Sequence, residues 1–95
     1  MEKYKITCYC SACNSPPQSR ETKSGHKATA GTTVAVHPDK YVKDKDIYID
    51  GIGQRKIQDI HGNLTNVIDV YIGEYRTCQC SYHPWSGKTC EVQGM

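Results

Sequence analysis

Phenylalanine is absent from this sequence, tryptophan occurs once, and no apolar run is long enough to cross a bilayer as a helix. A helical periodicity is missing as well. No segment keeps apolar residues at i, i+3, i+4 and i+7 for three turns, which argues against a helical bundle. Charge of one sign is not concentrated anywhere: the formal net charge is +2, and Lys40, Lys43 and Lys45 alternate with Asp39, Asp44 and Asp46. That pattern describes a solvated loop, and without a basic stripe nucleic acid is not an expected partner. The first residues, Met1-Glu2-Lys3-Tyr4-Lys5-Ile6, enter a strand-like segment with no apolar signal-peptide core. The expectation is a chain made without a leader, or a domain excised from a longer one. No internal repeat is visible.

What is present points to one small β domain. Ninety-five residues bury only about 60–65% of their unfolded surface, so the core is limited. Short strand candidates recur at 4–9, 32–36, 46–49, 55–59, 67–72 and 89–92. Turn chemistry separates them: Asn14-Ser15-Pro16-Pro17, Ser24-Gly25, His37-Pro38-Asp39, Asp50-Gly51 and His61-Gly62-Asn63. Asp50-Gly51 after Tyr48-Ile49 predicts a hairpin. Residues 14–31 form a long polar loop. Six strands in so short a chain suit a small closed barrel, which leaves no exposed sheet edge.

Six cysteines are many for this length. They split into Cys8, Cys10, Cys13 near one end and Cys78, Cys80, Cys90 near the other. An even count in a small domain suggests disulfides that tie the C-terminal segment, residues 75–95, to the first strand. Zinc is the rival reading. Cys78, Cys80, His83 and Cys90 offer four ligands, and the N-terminal trio could share a site with one of them. Their spacing is not that of a ribbon or finger, so staples or free structural thiols come first. No cysteine has the His and Asn/Asp context of a nucleophile.

Two aspartates stand out against this background. Asp59 closes the run Arg55-Lys56-Ile57-Gln58-Asp59, and Asp69 sits inside Asn66-Val67-Ile68-Asp69-Val70-Tyr71. A carboxylate among β-branched residues is costly to desolvate, and burial raises its pKa toward the range a general acid needs. Strand alternation puts Asp69 on the face opposite Ile68 and Val70. An isolated aspartate in a strand is more often a hydrogen-bonded structural residue, so the residues alone favour that reading. His37 precedes a proline and can simply shape a turn; His26 and His83 read as surface residues. Seven tyrosines and Trp85 supply aromatic faces with polar edges, suited to half-exposed positions.

The combined order of motifs resembles a known family. Gly31-Thr32-Thr33-Val34-Ala35-Val36-His37-Pro38, Asp46-Ile47-Tyr48-Ile49-Asp50-Gly51, Gln58-Asp59 and Val67-Ile68-Asp69-Val70-Tyr71 are similar to the 3D domain, named for three aspartates. Ile6-Thr7-Cys8-Tyr9-Cys10 resembles the opening strand of that family, and Ser24-Gly25 its turn. The likeness covers residues 4–73. It implies a six-stranded double-psi β-barrel related to lytic transglycosylase A, rare lipoprotein A and the expansins, with the Cys-containing residues 75–95 as an extension. It further implies a peptidoglycan-cleaving activity with Asp69 as the acid, Asp59 as its supporting carboxylate, and Thr7, His37 and His61 toward the glycan. No cofactor is required by such chemistry. The expected setting is a bacterial cell wall, extracellular or phage-associated. Two departures stand out. His37 replaces the first aspartate, and Asp59-Ile60-His61-Gly62-Asn63 replaces the usual D-T-G-G loop. They feed two other readings: a non-catalytic, wall-binding module of expansin type, and a cysteine-stapled or zinc-bound interaction protein.

Overall fold

The computed structural model describes residues 2–13 and 22–95. The expected turn at Asn14–Pro17 lies outside them. Six strands, β1 (Glu2–Tyr9), β2 (Thr33–Val36), β3 (Lys45–Ile49), β4 (Gly53–Ile60), β5 (Val67–Tyr71) and β6 (Thr89–Gln93), close into one barrel in the order β1-β5-β2-β4-β3-β6. Among the described residues the only helical pieces are two 3-10 turns, Pro38–Lys40 and Cys80–Tyr82. The missing 3.6-residue periodicity is matched by the absence of an α-helix among the described residues.

Two pairs, β1 with β5 and β2 with β4, are parallel, and the other four are antiparallel. Tyr4 and Ile6 of β1, Val34 and Val36 of β2, Ile47 and Ile49 of β3, Ile57 of β4, Ile68 and Val70 of β5 and Val92 of β6 point inward and fill the barrel. The alternate residues of β1 and β5 stand on the outer face. With no phenylalanine, the interior is filled chiefly by β-branched residues, which pack well on a pleated surface.

The predicted hairpin joins β3 to β4. Ile49 pairs with Gly53, the Ile52 N–H donates to the Ile49 carbonyl, and Gly51 takes φ 82°. That left-handed conformation favours glycine, since a Cβ there is strained.

The C-terminal stretch differs from the expected extension. β6 pairs with both β1 and β3, so the barrel closes only through residues 89–93. Residues 72–88 form a long connection from β5 to β6. Its one fully buried residue is Cys80, 5% exposed, while Trp85 packs partly against the core with Arg55 over its ring. Gly87 N–H donates to the Ile6 carbonyl and fixes the connection's end to β1.

Candidate functional site

Strand register brings the two aspartates onto one row. Thr7 of β1 stands opposite Asp69 of β5, Asp69 opposite Ala35 of β2, and Ala35 opposite Asp59 of β4. The last pairing depends on a register shift between Val34 and Ala35; bulges of this kind re-aim side chains at sheet surfaces. Asp69 and Asp59 are thus two strand spacings apart, about 10 Å between backbones. Only the methyl of Ala35 separates them. The row Thr7, Asp69, Ala35, Asp59 crosses four adjacent strands of the barrel's outer face.

Asp69 is half-buried, with Val67 and Tyr71 buried on either side of it. Burial pushes its carboxyl up from the ordinary 3.8 to about 6. The Thr7 hydroxyl donates to Oδ1 at 3.0 Å and pulls the other way, as does the nearby His61 imidazole; the charge on Asp59 adds a smaller push upward. Desolvation therefore wins over hydrogen bonding here. Asp59 is held differently: its Oδ1 accepts the backbone N–H groups of Ile60 at 2.9 Å and Lys23 at 3.2 Å.

Tyr9, two residues beyond Thr7 on the same face, completes the constellation. Its ring meets Tyr71 edge to face at 5.1 Å between centroids. Its hydroxyl is buried and has no hydrogen-bond partner among the described residues. Burial, then the charges of Asp59, Asp69 and Tyr71, push that phenol far above its ordinary value, so it stays a neutral donor. Tyr9 and Ala35 were both missed as site residues in the sequence. Tyr9 could have been found from its i+2 relation to Thr7; Ala35 carries no chemical signal at all.

The histidines are occupied by local structure. His61 Nδ1 accepts the Asn63 N–H at 3.1 Å, which leaves Nε2–H to donate to the Val67 carbonyl at 2.7 Å. The ring thereby clips the loop between β4 and β5. His37 Nδ1 accepts the Asp39 N–H at 3.0 Å and caps the 3-10 turn. The two rings lie 6.5 Å apart, edge to face. A concavity of about 350 Å³ lies elsewhere, between the end of β5 and the 72–88 connection. Ile72, Tyr75, Arg76, Tyr82, His83 and Pro84 line it, and the carboxylates do not. The aspartate row is largely covered: Ala35 is buried and Asp69 half-buried.

A second constellation gathers Cys10, Cys13, Cys78 and Cys80, whose sulfurs all lie within 4.8 Å of one another and could hold a metal ion. This corrects the quartet expected from sequence. Cys78 and Cys80 belong to it, but His83 and Cys90 do not. His83 Nδ1 accepts the Trp85 N–H, and Cys90 sits on β6 opposite Tyr4. Cys78 precedes and Cys80 begins a 3-10 turn, and their thiols face the same centre. Cys8 is half-buried and remains separate from the cluster. Burial, with Asp69 nearby, raises its thiol to about 11, which keeps it protonated. All six sulfurs are unbonded to one another.

Comparisons of the chain with protein families, curated proteins and solved structures found no match.

Proposed function

We propose that the protein cleaves peptidoglycan glycan strands as a lytic transglycosylase, with Asp69 as the single acid and base. One observation carries this reading: a half-buried carboxyl that burial pushes up to about 6, hydrogen-bonded to Thr7. The motif resemblance supplies the substrate class. Two parallel strand pairs, each joining strands distant in sequence, support the double-psi arrangement that the resemblance implies.

In this reaction protonated Asp69 gives its proton to the glycosidic oxygen as the bond to the sugar carbon breaks. The muramyl 6-hydroxyl then attacks that carbon, and its proton returns to the Asp69 carboxylate. The chain ends where it began, and no water enters. One carboxyl suffices, which accords with an Asp59 about two strand spacings away and bound to backbone N–H groups. Asp59 would raise the acid's affinity for its proton through charge.

His37 in place of an aspartate and the altered loop Asp59-Ile60-His61-Gly62-Asn63 favour a second reading, a wall-binding module of expansin type that holds glycan without cutting it. Muropeptide mass spectrometry of digested, purified cell walls separates the two. Release of 1,6-anhydromuramyl products is the expected result. Reducing-end products would mean a hydrolase, and binding without release would give the module reading precedence.

A further inference from the structure

The geometry points to a structural zinc site formed by Cys10, Cys13, Cys78 and Cys80, which fastens the 72–88 connection to the end of β1. The Cys13 sulfur stands 3.7 Å from Cys10, 2.9 Å from Cys78 and 3.4 Å from Cys80. A disulfide joins one sulfur to one other. Here one sulfur has three neighbours, the arrangement expected when all four surround a common centre. Tetrahedral zinc with bonds of about 2.3 Å holds its sulfurs about 3.8 Å apart, so the cluster needs only small side-chain adjustments to take the ion.

The surrounding chain already carries the second requirement, a backbone that presents the ligands. Cys10 N–H donates to the Cys13 sulfur at 3.2 Å, which shapes the Cys-x-x-Cys turn just beyond β1. Ser11 ties that turn to the connection twice: its N–H donates to the Gly73 carbonyl, and its hydroxyl oxygen accepts the Tyr75 N–H. A connection this long, with one 3-10 turn and Cys80 as its one fully buried residue, has little apolar packing to order it. A tetrathiolate ion supplies what the small core does not, since metal binding to a preformed site is also folding free energy. Binding replaces four S–H protons: four thiols and Zn²⁺ give a zinc tetrathiolate of charge −2 and four released protons. Arg76, which lines the same groove as Cys80, offers a cationic neighbour. The site lies apart from the aspartate row and does not depend on how that row is read.

The test uses the whole chain, produced in reducing cytosol with zinc in the medium and purified without chelator. Elemental analysis should find one zinc per chain, and exchange into cobalt(II) should give the intense visible bands of a tetrahedral tetrathiolate. Exposed Cys78 and Cys13 are the informative positions, because serine there leaves the barrel core intact. Cys78→Ser and Cys13→Ser should each weaken zinc binding by ten-fold or more, while Cys8→Ser and Cys90→Ser should leave one zinc bound. Stripping the zinc should expose the bond after Arg76 to trypsin while the barrel's circular dichroism persists. A chain that holds no zinc or cobalt, that holds stoichiometric iron in place of zinc, or whose four clustered cysteines occur as two disulfides would overturn the assignment. So would zinc that survives Cys78→Ser and Cys13→Ser but is lost in Cys8→Ser.

Discussion

At Asp69 two opposing effects meet, and their balance sets what the residue can do. Burial raises the carboxyl to about 6 although Thr7 and His61 both favour its charged form. Asp69→Asn keeps the shape and removes the proton. Wall-lytic activity should then fall by about 10²–10⁴-fold with the fold retained. Asp59→Asn should cost less, and His37→Ala least, because neither handles the transferred proton. An Asp69→Asn protein that digests walls at the parental rate would refute the assignment of the acid.

The same balance has a pH signature. Activity that needs a protonated acid should decline on the alkaline side with an apparent pKa near 6. Thr7→Val removes a donor to the carboxylate and should move that limb upward, whereas Asp59→Asn removes a like charge and should move it downward. Stability follows with a definite sign. The folded state holds the Asp69 proton more tightly than the unfolded chain, where the ordinary value is 3.8. Its contribution is complete below about pH 4 and is lost as pH rises through about 6. The rise from 3.8 to about 6 makes the loss on the order of 3 kcal/mol. Thermal melts of the parent and Asp69→Asn from pH 3 to pH 8 should differ by this change.

At the scale of elements, β2 and β4 are joined by more than their ladder. Thr33 accepts the Thr29 N–H at 2.9 Å and donates to Gln58 at 2.7 Å, and Gln58 donates to Asp44 at 3.1 Å. Thr33 is fully buried, so valine there strands the Thr29 N–H and the Gln58 oxygen. Urea unfolding should show a loss of about 1–3 kcal/mol. Ala35, on the same face of β2 as Thr33, is also buried, 3% exposed. Leucine there would overfill the space between Asp69 and Asp59, and urea unfolding should show a loss of about 1–3 kcal/mol. An unchanged midpoint would show that the row yields to the added bulk.

For the whole molecule, the barrel interior holds one mostly β-branched cluster, and Val67, Tyr71, Cys10 and Cys80 are buried outside it. Ile68 is fully buried at its centre, and Ile68→Ala should cost about 2–5 kcal/mol by chemical denaturation. In a chain this small such a loss approaches the entire margin of stability. A midpoint shift of less than about 1 kcal/mol would mean that the interior collapses around the gap.

The strands were legible because each is a local pattern. β-branched runs bounded by glycine, proline and asparagine read correctly to within about two residues at each end, and the Asp50-Gly51 hairpin formed as its turn chemistry required. The inward set, and with it the outward aim of Asp69, follows from a two-residue period that any single strand displays. The thiols and the carboxylate row were only partly legible, because both depend on which strands become neighbours. Closing the barrel placed β5 between β1 and β2, and this set Thr7 against Asp69 and Ala35 between two aspartates. It also carried the connection after β5 back over the end of β1, so that Cys78 and Cys80 meet Cys10 and Cys13 and leave His83 and Cys90 aside. The sequence by itself determined an all-β chain, its strands and the inward face of each. Only the tertiary structure decided the partners, because contacts between residues some sixty positions apart follow from closure of the sheet and leave no trace in local periodicity.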